Sequence, residues 1–405
     1  NVVSTKYEPR PCTELSDFHH VERLNMLIER CHAYGAKVCV QLSPGLGRQQ
    51  FTDPFTPPYS AGSVGAFWFP DLICKPFSKE DIHYLVEKVG YSASLAVNAG
   101  ADCVELHAYG GYLLDQFHSV QWNNRTDEYG GDIHGRLRLT LEVIEEVRKQ
   151  CGRDFIIDVR ISGDEYSDGG LTLNDMIYVS KQLEKATVDF IHVSGGNTIK
   201  KGSSMPASGT APAPHKHASE EIKKHVSIPV ATVSRINEPW VADELIANGV
   251  CDACMIGRPN LCDSEFANKA KAGKTDEIRP CIGCGRCLTG IMFGKPISCT
   301  VNPAVEKEEI DEAPVKKKVL VVGGGPAGME AAYVAKKRGH EVVLCEQSDR
   351  LGGQLNIACV PIGKQEITKV VKYMKSQLTG VDVRLNTTVT KEMIENEFKD
   401  YEIFI

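Results

Sequence analysis

Asp102-Cys103-Val104-Glu105-Leu106-His107 is a short strand-like run set between two longer segments whose apolar residues recur with helical period, Lys79 to Ala99 and Gly135 to Gln150. A strand entered from one helix and left through another is the repeating unit of a parallel sheet. Working outward, the same alternation holds from residue 20 to 273. Its strands are Lys37 to Leu42, Asp102 to His107, Phe155 to Ser162, Asp189 to Ser194, Pro229 to Ser234 and Ala253 to Gly257, and Val21 to Tyr34 and Glu238 to Asn248 read as further surface helices. A closed TIM barrel has eight strands. The expectation is therefore an α/β chain built on a (β/α)8 TIM barrel whose first two strands lie ahead of Asn1. A doubly wound open sheet is the alternative, because it accepts six strands as they stand.

Composition bounds the function. A chain of 405 residues has room for a barrel and a second, smaller domain. No apolar run is long enough to span a bilayer, which excludes a membrane-embedded protein. The net charge of -7 is spread without a basic stripe, which argues against nucleic acid and for a small-molecule partner. The fifteen cysteines follow no signal peptide, and four of them form a cluster pattern, so they read as belonging to a reducing cytoplasm. The chain starts without methionine and stops inside the apolar run Tyr401 to Ile405, which reads as a fragment of a longer protein.

The alternation breaks at Lys274 to Pro314, a cysteine-rich stretch followed by the acidic run Glu306, Glu308, Glu309, Asp311 and Glu312. Within it, Cys281-Ile-Gly-Cys284-Gly-Arg-Cys287 is joined by Cys299 after eleven intervening residues. Consecutive Cys-x-x-Cys-x-x-Cys lets three thiolates reach three irons of one 4Fe-4S cluster, whereas zinc more often uses two separated pairs. The cluster is the expectation and zinc the lesser alternative. Cys251 and Cys254, at the entry to an apolar strand, read as core packing.

Beyond the connector, Val319-Leu-Val-Val-Gly323-Gly-Gly325-Pro-Ala327-Gly328 is a strand opening through G-x-G-x-x-G into a helix, Met329 to Lys337. Such glycines let backbone approach a pyrophosphate at a helix N-terminus, where free N–H groups favour negative charge. Glu346 ends the next strand, Glu341 to Cys345, where a carboxylate can bind an adenosine ribose. Leu351-Gly352-Gly353-Gln354 is a form associated with FAD rather than NAD. The domains expected are a barrel over 1–274, an iron-sulfur segment over 275–313 and a partial Rossmann-like FAD domain over 314–405.

The barrel motifs carry a resemblance. Val40-Gln41-Leu42 with Gly47-Arg48, Glu105-Leu106-His107 leading to Gly111-Tyr112-Leu113-Leu114, Asn123-Asn-Arg125-Thr-Asp127-Glu-Tyr129-Gly130-Gly131, Val159-Arg160-Ile161-Ser162 and Ile256-Gly257-Arg258-Pro259 resemble old yellow enzyme relatives. With the cysteine cluster and glycine loop in this order, the chain resembles the 2,4-dienoyl-CoA reductase and 2-enoate reductase family. That resemblance implies FMN in the barrel, with Gln41 on the flavin's pyrimidine edge, Arg160 facing the reduced flavin, and Arg235, Gly257 and Arg258 at its phosphate. It implies Tyr112 as the proton donor and His107 as the group polarising the substrate carbonyl. NADH, or NADPH, would supply electrons through FAD and the cluster to FMN, and so to an alkene conjugated to a carbonyl.

Two positions depart from the pattern. Gly110 stands where many relatives carry a second His or Asn, leaving activation to His107 or to a residue within Gly195 to Ser204. Gln121 stands where dienoyl-CoA reductases tend to have arginine, which argues against a CoA thioester. Asn123, Arg125 and Asp127 read as a loop held by hydrogen bonds and an ion pair. The rival readings are an amine dehydrogenase resembling trimethylamine dehydrogenase and an electron-transfer module without its own substrate. Which alkene is reduced, and whether chains associate as a homo-oligomer, stay open.

Overall fold

The computed structural model describes residues 1–8, 13–51, 53–199, 202–292, 294–307 and 309–405, so Glu308 of the acidic run lies outside the described residues. The chain groups into two compact units. One comprises Asn1–Met205, Ala213–Ser234 and Asp243–Met255; the other comprises Pro206–Pro212, Arg235–Ala242 and Ile256–Ile405.

In the first unit, β1 (Cys39–Leu42), β4 (Cys103–Ala108), β5 (Ile156–Ser162), β6 (Phe190–Ser194), β7 (Val230–Val233) and β8 (Ala253–Met255) form one parallel sheet, with the two-residue pair β2 (Tyr59–Ser60) and β3 (Lys75–Pro76) apart from it. The strand order β1-β4-β5-β6-β7-β8 is the chain order. A doubly wound sheet reverses direction at a switch point. This one never does, and the half-barrel excludes that alternative.

Side chains alternate across each strand. Val104, Leu106 and Ala108 are buried in the core that holds Leu85, Val89, Val143 and Ile144 of the covering helices. Glu105 and His107 take the opposite face. The covering helices are fixed locally: Lys79–Asn98 starts in a Ser78/Asp81 capping box and Leu173–Lys185 in a Thr172/Asp175 one. Ile157 sits fully buried in the middle of this layer. Replacing Ile157 by valine is expected to cost about 1 kcal/mol, read as a lower urea midpoint with an unchanged slope.

Cys39 and Cys103 are register partners on β1 and β4, and they are joined by a disulfide. Not every cysteine here is therefore a free thiol. Cys251 and Cys254 stand with sulfurs 3.8 Å apart.

The second unit carries a four-stranded parallel sheet of order β11-β10-β9-β12, from β9 (Lys318–Val322), β10 (Glu341–Cys345), β11 (Asp382–Arg384) and β12 (Ile403–Phe404). Helix Pro326–Lys337 follows β9, with Pro326 at its first turn where a missing N–H costs nothing. Val319, Val321, Met329 and Leu344 close its core. Among the described residues no helix is long and apolar enough to cross a membrane.

Candidate functional site

The open face of the first sheet is unusually polar for a parallel sheet. Register aligns Gln41, Glu105 and Asp158 across β1, β4 and β5, and one step further aligns His107, Arg160 and His192 across β4, β5 and β6. Gln41 donates through Nε2 to Glu105, whose other oxygen lies 2.7 Å from His192 Nδ1. Burial raises the Glu105 carboxyl, but its hydrogen bonds, that with His192 first, outweigh it and hold Glu105 ionised, while burial pushes the His192 imidazole itself down and leaves it the weaker source of charge. Burial and the adjacent Glu105 charge push Asp158 well above the ordinary carboxylate value. Glu105, Asp158 and His192 bring one ligand atom each within 4.8 Å of one another. Sequence reasoning missed this trio, although Glu105 and Asp158 interrupt apolar strands in step with His107 and Arg160.

His107 and Tyr112 come together, their ring centroids 4.8 Å apart. Tyr112 precedes helix Leu113–His118 as its N-cap, after two glycines in the left-handed region, Gly110 (φ 74°) and Gly111 (φ 78°). Gly111 is also tightly enclosed: a Cβ there would stand 2.7 Å from Gln49 Nε2 and 3.1 Å from the Trp122 ring. Its N–H donates to Asp115 at 2.6 Å. Asp115 is itself fully buried and pushed well above the carboxylate range, first by burial and then by Glu165. Gly110 thus serves the turn that aims Tyr112, and Gln49 Nε2 donates to its carbonyl at 2.9 Å.

Arg160 lies with its guanidinium 4.3 Å from the Tyr109 ring centroid, and its Nη2 reaches Ser194 Oγ at 3.4 Å. Its Nε is buried with no partner among the described residues. Tyr109, which sequence reading passed over, donates its hydroxyl to the Ser204 carbonyl. Of the stretch Gly195 to Ser204, residues 200 and 201 lie outside the described residues.

Burial, and next the Arg160 charge, push the His107 imidazole down to about 3. It is neutral near neutral pH and offers an N–H without carrying charge. Because the folded value lies below the ~6.5 of a free imidazole, protons favour the unfolded chain. Stability linked to this group is complete above about pH 6.5 and is lost as pH falls from there toward the folded value, at up to ~1.4 kcal/mol per pH unit. A His107→Gln variant is expected to flatten that acid slope by as much, measured by urea unfolding across a pH series.

The loop Asn123 to Gly131 behaves as the sequence suggested. Arg125 grips Asp127 through Nε (2.9 Å) and Nη2 (2.6 Å) and donates through Nη1 to the carbonyls of Ala61 and Phe77, while Asn123 donates to those of Phe117 and Tyr129. Gln121 donates to the Asp168 carbonyl.

In the second unit, Arg235 is 4% exposed; it pairs with Glu366 and donates to the Thr210 carbonyl. Its Nη1 is buried without a partner among the described residues. A carboxylate thus holds the guanidinium in the way a phosphate oxygen would. Gly257 caps helix Arg258–Cys262, and Arg258 Nη2 donates to the Pro206 carbonyl at 2.9 Å.

Cys281, Cys284, Cys287 and Cys299 line a single cavity. Gly283 (φ 64°) and Gly285 (φ 76°) turn the loop between the first three. Among the described residues no three of these sulfurs lie within 4.8 Å of one another, whereas tetrahedral zinc with ~2.3 Å bonds needs sulfurs roughly 3.8 Å apart. The glycine loop is closely built. Gly323 has φ 109°, Gly324 N–H donates to Glu346 at 2.6 Å, and Gly352 N–H donates to the Gly324 carbonyl at 2.9 Å. Gly325 caps helix Pro326–Lys337, Ala327 lies exposed in its first turn, and exposed Gln354 caps helix Leu355–Ala358.

Residues 5–277 match the model of the NADH:flavin oxidoreductase / NADH oxidase family, and residues 318–394 match that of FAD dependent oxidoreductases. The chain is 39% identical to the NADH oxidase of Thermoanaerobacter brockii over 96% of its own length and 61% of that protein. It is 34% identical to the cinnamate reductase of Clostridium sporogenes over 100% of its length and 64% of that protein. It spans a little over three fifths of the length of these curated relatives. Histamine dehydrogenase from Rhizobium sp. 4-9 superposes with a TM-score of 0.91 at 25% identity, covering 100% of this chain and 60% of that one.

Proposed function

Since the chain belongs to the NADH:flavin oxidoreductase / NADH oxidase family, we propose that it reduces a carbon–carbon double bond conjugated to a carbonyl, with NADH or NADPH as electron donor. FMN would lie on the polar sheet face against Gln41 and Arg160, a 4Fe-4S cluster on Cys281, Cys284, Cys287 and Cys299, and FAD on Gly323, Gly325, Ala327, Gly328, Glu346 and Gln354. The buried, unpartnered Nε of Arg160 suits the anionic edge of a reduced flavin, and the buried Nη1 of Arg235 by itself suits a phosphate. The spread sulfurs suit a multi-iron cluster better than zinc. Gly325 caps its helix with nothing within 4 Å of where a Cβ would stand, which leaves room for a pyrophosphate. When bound, the two flavins and the cluster carry the electron pair from nicotinamide to alkene, the cluster one electron at a time.

The observation that carries this reading is the His107–Tyr112 pair beside Arg160. Hydride addition to the β carbon leaves negative charge on the carbonyl oxygen and needs a proton at the α carbon. The neutral His107 N–H donates to that oxygen and the Tyr112 hydroxyl supplies the proton. Arg160 would stabilise the negative charge of a reduced flavin held there. Gln41, its Nε2 committed to Glu105, presents its carbonyl oxygen as an acceptor.

The likeness to histamine dehydrogenase favours a second reading, oxidation of an amine with electrons leaving through the cluster. Anaerobic stopped-flow mixing of the intact protein with NADH, then with 2-enoates, enoyl-CoA esters and cyclic enones, separates them. Bleaching by NADH and recovery with one alkene supports the reductase. Flavins that stay oxidised with NADH and bleach with an amine establish the dehydrogenase. Reduction by NADH with no response to any alkene or amine favours an electron-transfer module.

A further inference from the structure

Arg235 and Arg258, the two arginines expected at the flavin phosphate, belong to the second unit, and so does the cysteine segment. Arg258 lines the same cavity as Cys281, Cys284, Cys287 and Cys299. Arg235 packs on the loop between the first two of these: a Cβ at Gly283 would press on its Nη1, the buried nitrogen that has no partner among the described residues. Two hydrogen bonds hold the same loop. Asn237 Nδ2 donates to the Cys281 carbonyl at 2.9 Å, and the Ser208 N–H donates to the Gly283 carbonyl at 3.1 Å.

Arg235 has little freedom elsewhere. Its backbone is left-handed (φ 55°), as is that of Ser234 before it (φ 87°), a conformation that residues bearing side chains keep only where their surroundings enforce it. The Thr210 carbonyl accepts from Nε and Nη2, and Glu366 accepts from Nη2. The remaining nitrogen rests on the loop backbone, at a position where only glycine leaves it room.

We propose that the cysteine loop and the FMN phosphate seat are one coupled site. The loop, folded on its cluster, backs Arg235 and Arg258, and a phosphate on those arginines steadies the loop in return. Without the cluster the wall behind Nη1 is no longer fixed, and the guanidinium holds an anion less well. Coupling of this kind is reciprocal. It rests on the FMN and 4Fe-4S readings above.

Riboflavin, which has the flavin ring without the phosphate, is the probe that isolates the seat. Labelled FMN and labelled riboflavin are dialysed to equilibrium against the intact anaerobic protein, with FAD in excess and iron counted, before and after a chelator removes the cluster. The preference for FMN over riboflavin is expected to fall about tenfold on removal, with riboflavin binding unchanged. FMN, but not riboflavin, should in turn slow the release of iron to the chelator. Gly283→Ala should lower the preference with its iron in place, because the methyl displaces Nη1. If that variant does not hold iron, Asn237→Leu, which removes only the bond to the Cys281 carbonyl, is judged by the same ratio.

A preference that is the same with and without iron overturns the proposal. So does a parallel loss of FMN and riboflavin binding, which would report a damaged fold and not a damaged phosphate seat. Equal binding of FMN and riboflavin by the iron-replete protein overturns the phosphate reading, and wild-type protein that takes up no iron overturns the cluster reading. The proposal falls with either, and the dialysis and the iron count tell which.

Discussion

In a Tyr112→Phe variant, recovery of the NADH-reduced protein by its alkene is expected to slow by about 10²- to 10³-fold, while reduction by NADH keeps its wild-type rate. The two half-reactions separate because the phenol is needed only where a proton reaches carbon. The substitution is mild for the fold. Tyr112 caps its helix without a side-chain capping bond, and the preceding glycines and Asp115 fix the turn through backbone groups. Tyr109 is the internal control. Its hydroxyl is turned to the Ser204 carbonyl, so Tyr109→Phe should leave alkene turnover within a few-fold of wild type. Stopped-flow traces in which Tyr109→Phe is slow and Tyr112→Phe is not would exchange the two roles.

Gly328→Val is expected to remove FAD and to destabilise the second unit by about 3 kcal/mol. A Cβ at Gly328 would press directly on the Gly323 carbonyl oxygen, a backbone atom that cannot rotate away, so helix Pro326–Lys337 would have to lift off β9. Gly325→Ala makes the comparison informative, since an added Cβ there meets nothing within 4 Å and the backbone is ordinary for an alanine. That variant should fold normally and bind FAD weakly, because the methyl fills space a pyrophosphate needs. Flavin content and urea unfolding read both. Normal FAD content in Gly325→Ala would mean that this loop holds no dinucleotide.

Much of the fold was legible because strands and helices differ in period. Glu341 to Cys345 was read to the residue, and Lys79 to Ala99 ends one residue earlier, at Asn98. The helices Leu113–His118 and Lys216–Lys223 went unread as helices. Leu113 to His118 is buried on all sides, so it shows no polar stripe, and Lys216–Lys223 holds only three buried residues. The strands Tyr59–Ser60 and Lys75–Pro76 are too short to show any period. Within the site, His107, Tyr112, Arg160 and Gln41 were singled out through local motifs, and each lies on or beside the polar face. Glu105, Asp158 and His192 act through one another across three strands, and pairing of that kind appears only once register is known.

Because the strand order of the half-barrel is the chain order, each strand after the first lies against one already synthesised. Within this run each strand from β4 to β8 therefore finds its pairing partner already made when it leaves the ribosome. The sheet can lengthen one strand–helix unit at a time as the polypeptide emerges, its growing edge unpaired only for the time needed to translate the next few dozen residues. Synonymous codon changes that stall translation just after β5 or β6 would prolong that exposure, and aggregation of nascent chains is where the cost would register.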